Sequence, residues 1–250
     1  MSLKTTLTDK TLVLDLDNCL LTSFFNDKSL DESLDAEAAS NHLVTDLKNQ
    51  DLRRRFYRVK LKNEECCGAR RENLDAFLSF SFNYFKHVIV WSAGDKEYVH
   101  AMVKEIFKGH HQPDYILTRD DIVNVNKHDY YKPLRVIESK YPGVAPLTKT
   151  IFVDDKEDNF REDPGNGFTI PQCKIYAKDE KIVTKKDTAL LSLMNWLSRK
   201  EVISAKDVTK LDKKNAFMYS SNNEVEKKPN NTHITHVMFY APMSHKTHAR

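Results

Sequence analysis

Thr11-Leu12-Val13-Leu14-Asp15-Leu16-Asp17-Asn18-Cys19-Leu20 is the stretch that decides the fold. Thr11 to Leu14 is an unbroken apolar and β-branched run, the pattern of a strand covered on both faces. Asp15 and Asp17 follow at its C-terminal end, where open parallel sheets carry their reactive groups. A strand repeats every two residues, so the two carboxylates set out in the same direction. Two like charges that close need a cation or a shared proton. An acidic pair after an apolar run also marks a strand end that caps a helix, which gives Asp17 a second reading as an N-cap.

Three later segments favour chemistry. His87-Val88-Ile89-Val90-Trp91 is a second apolar run, ended by Ser92-Ala93-Gly94; Lys132 stands in Tyr130-Tyr131-Lys132-Pro133-Leu134, just ahead of a helix; and Thr150-Ile151-Phe152-Val153 is a buried strand ending in Asp154-Asp155. The order is acid pair, hydroxyl, lysine, acid pair, each at or near a strand or helix end, and it adds to the spaced carboxylates of the first motif, whose arrangement is that of a magnesium-dependent phosphoryl-transfer site.

This order resembles the haloacid dehalogenase superfamily of phosphotransferases, and within it the branch of CTD-phosphatase and NLI-interacting-factor-like domains. The branch likeness lies in the words around the motifs: Arg71 with Leu74-Asp75-Ala76-Phe77-Leu78, Val90-Trp91-Ser92-Ala93, Tyr98 and Arg119-Asp120-Asp121. It continues in Tyr131-Lys132-Pro133-Leu134, Val153-Asp154-Asp155 and Asp207-Val208-Thr209-Lys210-Leu211, so it covers roughly Thr11 to Leu211. Several ordered motifs are far more specific than one.

Strands alternate with helices along the chain, which implies an α/β fold: a Rossmann-like parallel sheet with helices on both faces. Leu74, Phe77, Leu78, Phe82 and Phe85 form one helical stripe, and Tyr98, Val99, Met102, Val103, Ile106 and Phe107 another. A short strand is expected over Asp114 to Thr118, a helix over Lys132 to Lys140, an edge strand over Lys174 to Ala177 and a last helix at Leu190 to Leu197. Residues 21–70 read as an insert between the first two motifs, with one or two helices over Ser29 to Asn49 and a half-exposed strand at Phe56 to Leu61. The phosphatase-like domain is expected over residues 1–215. Residues 216–250 read as a linker and a C-terminal arm that docks on its own domain or on a protein partner.

The resemblance implies a role for each motif. Asp15 would attack phosphorus to give an aspartyl-phosphate. Asp17 would protonate the leaving oxygen and then deprotonate the hydrolytic water. Ser92 and Lys132 would bind phosphoryl oxygens. Mg²⁺ would be held by Asp15, the Asp17 backbone carbonyl and the Asp154/Asp155 pair, with Asp155 as the direct ligand and Asp154 against Lys132. The implied substrate is a phosphoserine or phosphothreonine in a protein, possession of a polymerase-tail-like sequence being one option. Small-molecule, nucleotide or polynucleotide phosphates form a second option, and a phosphatase-like scaffold with little activity a third. The chain departs from the family at three places: Cys19 stands where threonine, sometimes valine, is usual; the insert is helix-rich at its start; and the usual Arg-Pro-Gly step reads Arg71-Glu72-Asn73. A cysteine nucleophile at position 19 is disfavoured because no His-Cys-x5-Arg pattern surrounds it.

Composition excludes several classes. The 250 residues carry 39 basic and 36 acidic side chains, net +3, too balanced to mark a nucleic-acid binder. No apolar stretch approaches a membrane span, and the N-terminus lacks the apolar core of a secretory signal. The four cysteines, Cys19, Cys66, Cys67 and Cys173, form no Cys-x-x-Cys pair, so a reducing intracellular setting, nuclear or cytoplasmic, is expected. The basic run Arg53-Arg54-Arg55 with Arg58, Lys60, Arg70 and Arg71 has two readings, a solvated face or an electrostatic collar for phosphorylated substrates. The tail histidines, His233, His236, His245 and His248, lack a metal-binding frame.

Overall fold

In the computed structural model the described residues are 6–25, 54–62, 64–126, 129–173 and 186–217. All four residues of β1 (Thr11–Leu14) are buried, and period two sends their side chains to opposite faces. Leu12 and Leu14 enter one apolar cluster and Val13 the other. The next long strands repeat the division. In β5 (His87–Trp91), Val88 and Val90 go with Leu12, and Ile89 and Trp91 with Val13; in β9 (Thr150–Asp154), Ile151 and Val153 take the first face and Phe152 the second. Such two-sided burial is what a parallel sheet between helical layers requires.

The sheet has five strands in the order β10-β9-β1-β5-β6, where β6 is Tyr115–Leu117 and β10 is Gly167–Thr169. Every pairing is parallel. The chain leaves β1 toward β5 and β6, then crosses to β9 and β10 on the other side. β1 is therefore the topological switch point, and the crevice beyond its C-terminal end is the natural ligand site of such a sheet. The first face is covered by α1 (Leu74–Tyr84), α2 (Lys96–Ile106) and α4 (Ala189–Leu197). The second is covered more thinly, by α3 (Arg135–Lys140) with Leu134, Val144 and Phe160. The expected helix at Lys132 thus begins at Arg135. Pro133 lies just ahead of the N-cap Leu134, and its carbonyl accepts from the Val136 amide at 3.0 Å.

After Asp17 the chain does not enter a helix. It turns tightly, with Asn18 in the left-handed region at φ 60 and the Leu16 carbonyl accepting from the amides of Cys19, Leu20 and Leu21. The N-cap reading of Asp17 is thereby corrected. The turn opens into β2 (Leu21–Phe25), which forms an antiparallel sheet of order β2-β4-β3 with β3 (Phe56–Lys60) and β4 (Glu65–Arg70). This is the described part of the insert. The helices expected over Ser29 to Asn49, and the edge strand over Lys174 to Ala177, lie outside the described residues. On that side the described sheet edge is β10, to which sequence reading assigned no strand. A further hairpin, β7 (Val123–Asn126) with β8 (Asp129–Tyr131), was not foreseen and leads directly into Lys132.

Arg71 joins the insert to the body. Its side chain is 1 % exposed. It donates to the carbonyls of Cys19 (2.9 Å) and Pro171 (2.6 Å) and to the Asp187 carboxylate (2.9 and 3.3 Å). Two residues on, Asn73 adopts φ 65, ψ 15 ahead of α1. This is the left-handed conformation that glycine favours and that asparagine tolerates best among other residues. The departure from Arg-Pro-Gly therefore keeps the backbone step. Near the other end, Ala216 is buried and Phe217 meets the edge of Phe168, whereas residues 218–250 lie outside the described set.

Backbone conformation at Asn73 gives a direct test. Asn73→Gly is expected to match or slightly exceed the parent stability in urea unfolding. Asn73→Val should lose about 1–2 kcal/mol, the cost of a β-branched residue held in the left-handed region.

Candidate active site

The register of the sheet builds the site. Leu14 pairs with Val90 on one side and Val153 on the other. One step further, the amide of Asp15 donates to the Val153 carbonyl at 3.0 Å, which sets Asp15 beside Asp154, with Ser92 just past the end of β5. Asp15 is 6 % exposed, Asp154 0 % and Lys132 1 %. Lys132 Nζ donates to Asp15 Oδ1 at 2.5 Å and to Asp154 Oδ2 at 2.7 Å. Burial works against the lysine charge, but the two carboxylates outweigh it and hold the ammonium well above the ordinary lysine range.

Asp154 is anchored from the other side. Asn159 Nδ2 donates to both of its carboxylate oxygens at 2.8 Å, and the Lys156 amide donates to Oδ1 at 2.9 Å. With these donors and Lys132, the Asp154 lone pairs are largely used. Asp155 is freer: it receives Gln172 Nε2 at 2.9 Å and faces the cleft. Burial, with the neighbouring Asp154, raises its carboxyl. Burial also pushes the Asp15 carboxyl well up; Lys132 opposes this, and Asp154 and Asp17 add to it.

Asp17 is held differently. Its Oδ1 accepts a short hydrogen bond from the Tyr98 hydroxyl, and its Oδ2 a long one of 3.4 Å from Ser92 Oγ. Burial raises its carboxyl, while Tyr98, Lys132, Ser23 and Ser92 draw it back. Tyr98 is fixed in the first turn of α2 because Asp95, the N-cap, accepts from its amide at 3.0 Å. Ser92 Oγ accepts from the Gly94 amide at 3.0 Å, which turns the hydroxyl toward the cleft.

Asp15, Asp17, Ser92, Lys132 and Asp155 all line one cleft of about 280 Å³. Asp154 lies beneath it as the anchor of Lys132. Ligand atoms of Asp15, Asp154 and Asp155 fall within 4.8 Å of one another. Three carboxylates around a single ammonium leave an excess of negative charge on hard oxygen donors, and that donor set fits Mg²⁺.

Other groups in the cleft wall were given no role by sequence reasoning: Tyr98, Tyr130, Lys156, Arg119 and Asn159. Tyr98 and Arg119 stood out only as words of a family pattern. The cap at Asp95 was the available signal for Tyr98. None of the described residues of the basic run lines the cleft: Arg58 pairs with Glu65, Arg70 with Glu105, and Arg71 is buried on Asp187. Cys19 is fully buried under the turn, and its thiol, pushed well up by burial and by Asp15, is no nucleophile. Cysteine there serves as a small apolar residue. The tail histidines lie outside the described residues.

A switch-point sheet with buried acids at the ends of β1 and β9 defines a haloacid dehalogenase-like phosphohydrolase fold. The family follows from the sequence model of the NLI interacting factor-like phosphatases, which matches residues 10–209, and the chain belongs to that family. Two solved structures share the fold. One is a variant of the fission yeast RNA polymerase II CTD phosphatase Fcp1 bound to beryllium fluoride, at TM-score 0.50 and 18 % identity, covering 68 % of this chain and 43 % of that one. The other is Fcp1, described as an essential RNA polymerase II CTD phosphatase, also at 0.50 and 18 %, covering 82 % and 59 %. The chain therefore spans about half the length of the solved chains it matches. No curated protein gives a significant sequence match. Among the described residues, no helix is long and apolar enough to cross a membrane.

The acid cluster predicts metal-dependent stability. Mg²⁺ at one hundred times its dissociation constant should stabilise the fold by about 2.7 kcal/mol, a rise in melting temperature of roughly 5–10 °C. Asp155→Asn should lose most of that rise in differential scanning fluorimetry. A parent protein whose melting temperature ignores Mg²⁺ would show that the carboxylates hold no cation.

Proposed function

We propose that this chain is a Mg²⁺-dependent phosphatase that hydrolyses phosphoserine or phosphothreonine in proteins through an aspartyl-phosphate on Asp15. The observation that carries the reading is the asymmetric tethering of the two acids. Asp15 has Oδ1 fixed by a buried ammonium, whereas Asp17 is held only by neutral hydroxyls. The first arrangement suits an ionised nucleophile and the second a group that gives and takes a proton.

In the first step Asp15 Oδ2 attacks phosphorus, the bond from phosphorus to the seryl oxygen breaks, and the departing oxygen takes the Asp17 proton. In the second, water attacks the phosphoryl group as Asp17 takes its proton, and the bond from phosphorus to Asp15 Oδ2 breaks to release inorganic phosphate. Lys132 and Ser92 donate to phosphoryl oxygens as charge builds on them. Asp15, Asp155 and the Asp17 carbonyl would hold Mg²⁺, which supplies charge neutralisation for the phosphoryl oxygens.

A protein substrate is supported by family membership, by a cleft large enough for a phosphoryl group on a short side chain, and by the insert sheet beside it, whose Ser23 reaches Tyr98. Four buried cysteines, none in a Cys-x-x-Cys pair, fit a reducing intracellular compartment. The C-terminal arm, residues 216–250, would then serve docking on its own domain or on a protein partner rather than chemistry, since every proposed catalytic group precedes it.

Asp15→Asn should abolish Mg²⁺-dependent turnover of 4-nitrophenyl phosphate, with a loss on the order of 10⁴-fold or more, as for other covalent nucleophiles. Incubation with Mg²⁺ and beryllium fluoride should trap an adduct on Asp15. Full activity in the variant would sink the mechanism. Parent activity on free nucleotides but not on phosphopeptides would move the substrate to the small-molecule class, and no activity or adduct at all would make the chain a scaffold.

A further inference from the structure

Asp17 stands at the end of a chain of hydroxyl groups that crosses into the insert. Tyr98 donates to Asp17 Oδ1. Ser23 Oγ lies 2.5 Å from the Tyr98 hydroxyl, and the Tyr57 hydroxyl 2.8 Å from Ser23 Oγ. Proton counting orients the contacts. The Tyr98 proton is committed to Asp17, so Ser23 donates to Tyr98 and Tyr57 donates to Ser23, sharing its proton with the Thr22 carbonyl at 3.2 Å. Each donor thus points toward the carboxylate, and such a chain polarises cooperatively. Tyr57 and Tyr98 are 3 % and 4 % exposed, so bulk water does not compete for these bonds.

The insert sheet is shaped for this chain. Ser23 of β2 and Tyr57 of β3 both pair with Gly68 of the central strand β4. The three residues form one cross-strand row, and only the missing side chain at Gly68 lets Tyr57 lie across β4 to reach Ser23. A Cβ there would overlap both the Thr22 carbonyl oxygen and the Tyr57 ring.

We propose that Tyr98 is a positioning residue for Asp17, and that the insert sheet sets this position through Ser23 and Tyr57. Tyr98 keeps Oδ1 an acceptor, so the transferable proton sits on Oδ2, the oxygen near Ser92. The proposal rests on the reading of Asp17 as general acid and adds that the insert, beyond covering the cleft, governs how well the leaving group is protonated. Substrates are then discriminated by leaving-group basicity: a seryl alkoxide needs the proton, a nitrophenolate does not.

The test compares kcat/KM for a phosphoserine peptide and for 4-nitrophenyl phosphate on the full chain with Mg²⁺, since this ratio reports the first, leaving-group-expelling step. Tyr98→Phe should lower the peptide value by about 10–100-fold and the aryl value by about threefold or less, part of the effect of a general acid, with the loss in kcat rather than KM. Ser23→Ala and Gly68→Ala should show the same unequal loss to a smaller degree, and they carry the test if Tyr98→Phe fails to fold. Asp17→Asn serves as the reference. If it shows the unequal loss while folded Tyr98, Ser23 and Gly68 variants lose both substrates equally or neither, the positioning proposal is overturned and the general acid stands. If Asp17→Asn itself affects both substrates equally, the general-acid reading is what fails.

Discussion

One buried cation organises the site. The Lys132 ammonium is cut off from solvent and lies between Asp15 and Asp154, which come from the ends of neighbouring strands. A charge in that position is tolerable only when its partners are in place; removing one partner of a buried pair costs ~3–5 kcal/mol, mostly because the survivor is left uncompensated. The requirement reaches outward. Asp154 must be held by Asn159 and the Lys156 amide, β9 must keep its register with β1, and the β7–β8 hairpin must deliver Lys132 from above. Loss of any of these exposes the same imbalance. The ammonium also fixes the sign of what remains, because three carboxylates around one lysine still want positive charge. The excess negative charge, on hard oxygen donors, is what a divalent cation would balance.

The two acids of the first motif are separated by a single residue yet live in different chemistry. Asp15 sits against full charges, where its ionisation is tied to burial, to the lysine and to the neighbouring carboxylates. Asp17 leans away, onto Tyr98 and Ser92. Neutral donors stabilise a carboxylate without fixing its charge, so the group can cycle. The same period-two geometry that starts both side chains in one direction would leave them equivalent. The turn after Asp17, with Asn18 in the left-handed region, is what breaks the equivalence.

Much of this was legible in the sequence where burial is two-sided. β1, β5 and β9 announce themselves because both faces must be apolar, and α1 and α2 because their stripes are long. Asp15, Asp17, Ser92 and the Asp154/Asp155 pair were legible because they lie at the ends of those strands, whereas Lys132 follows β8 and was marked only by the words around it. The short strands were not. Glu65-Cys66-Cys67-Gly68-Ala69-Arg70 has no alternation to read, and it is a strand only because β2 and β3 flank it. The β7–β8 hairpin and β10 likewise depend on partners brought by the rest of the fold. Local pattern offered helix N-capping as a second reading of Asp17, whereas the tight turn follows from the tertiary need to begin a second sheet. Tyr98 escaped because its contact with Asp17 joins segments distant in sequence; Asn159 escaped because the short turn that brings it back onto Asp154, five residues earlier, has no marked sequence pattern.

Economy of chain length ties the insert to the chemistry. Asp17 and Leu21, the first residue of β2, are four positions apart and joined by a β-bridge. The insert's last strand ends at Arg70, and the next residue pins the intervening turn through the Cys19 carbonyl while also holding Asp187 and Pro171. Entry and exit of the insert are thus clamped to the turn that carries Asp17. A rigid-body shift of the three-stranded sheet has little slack to absorb it before Asp17 itself moves. An insert at this place is not a separate cover: a few covalent bonds and one buried guanidinium tie its strands to the turn that carries the second carboxylate.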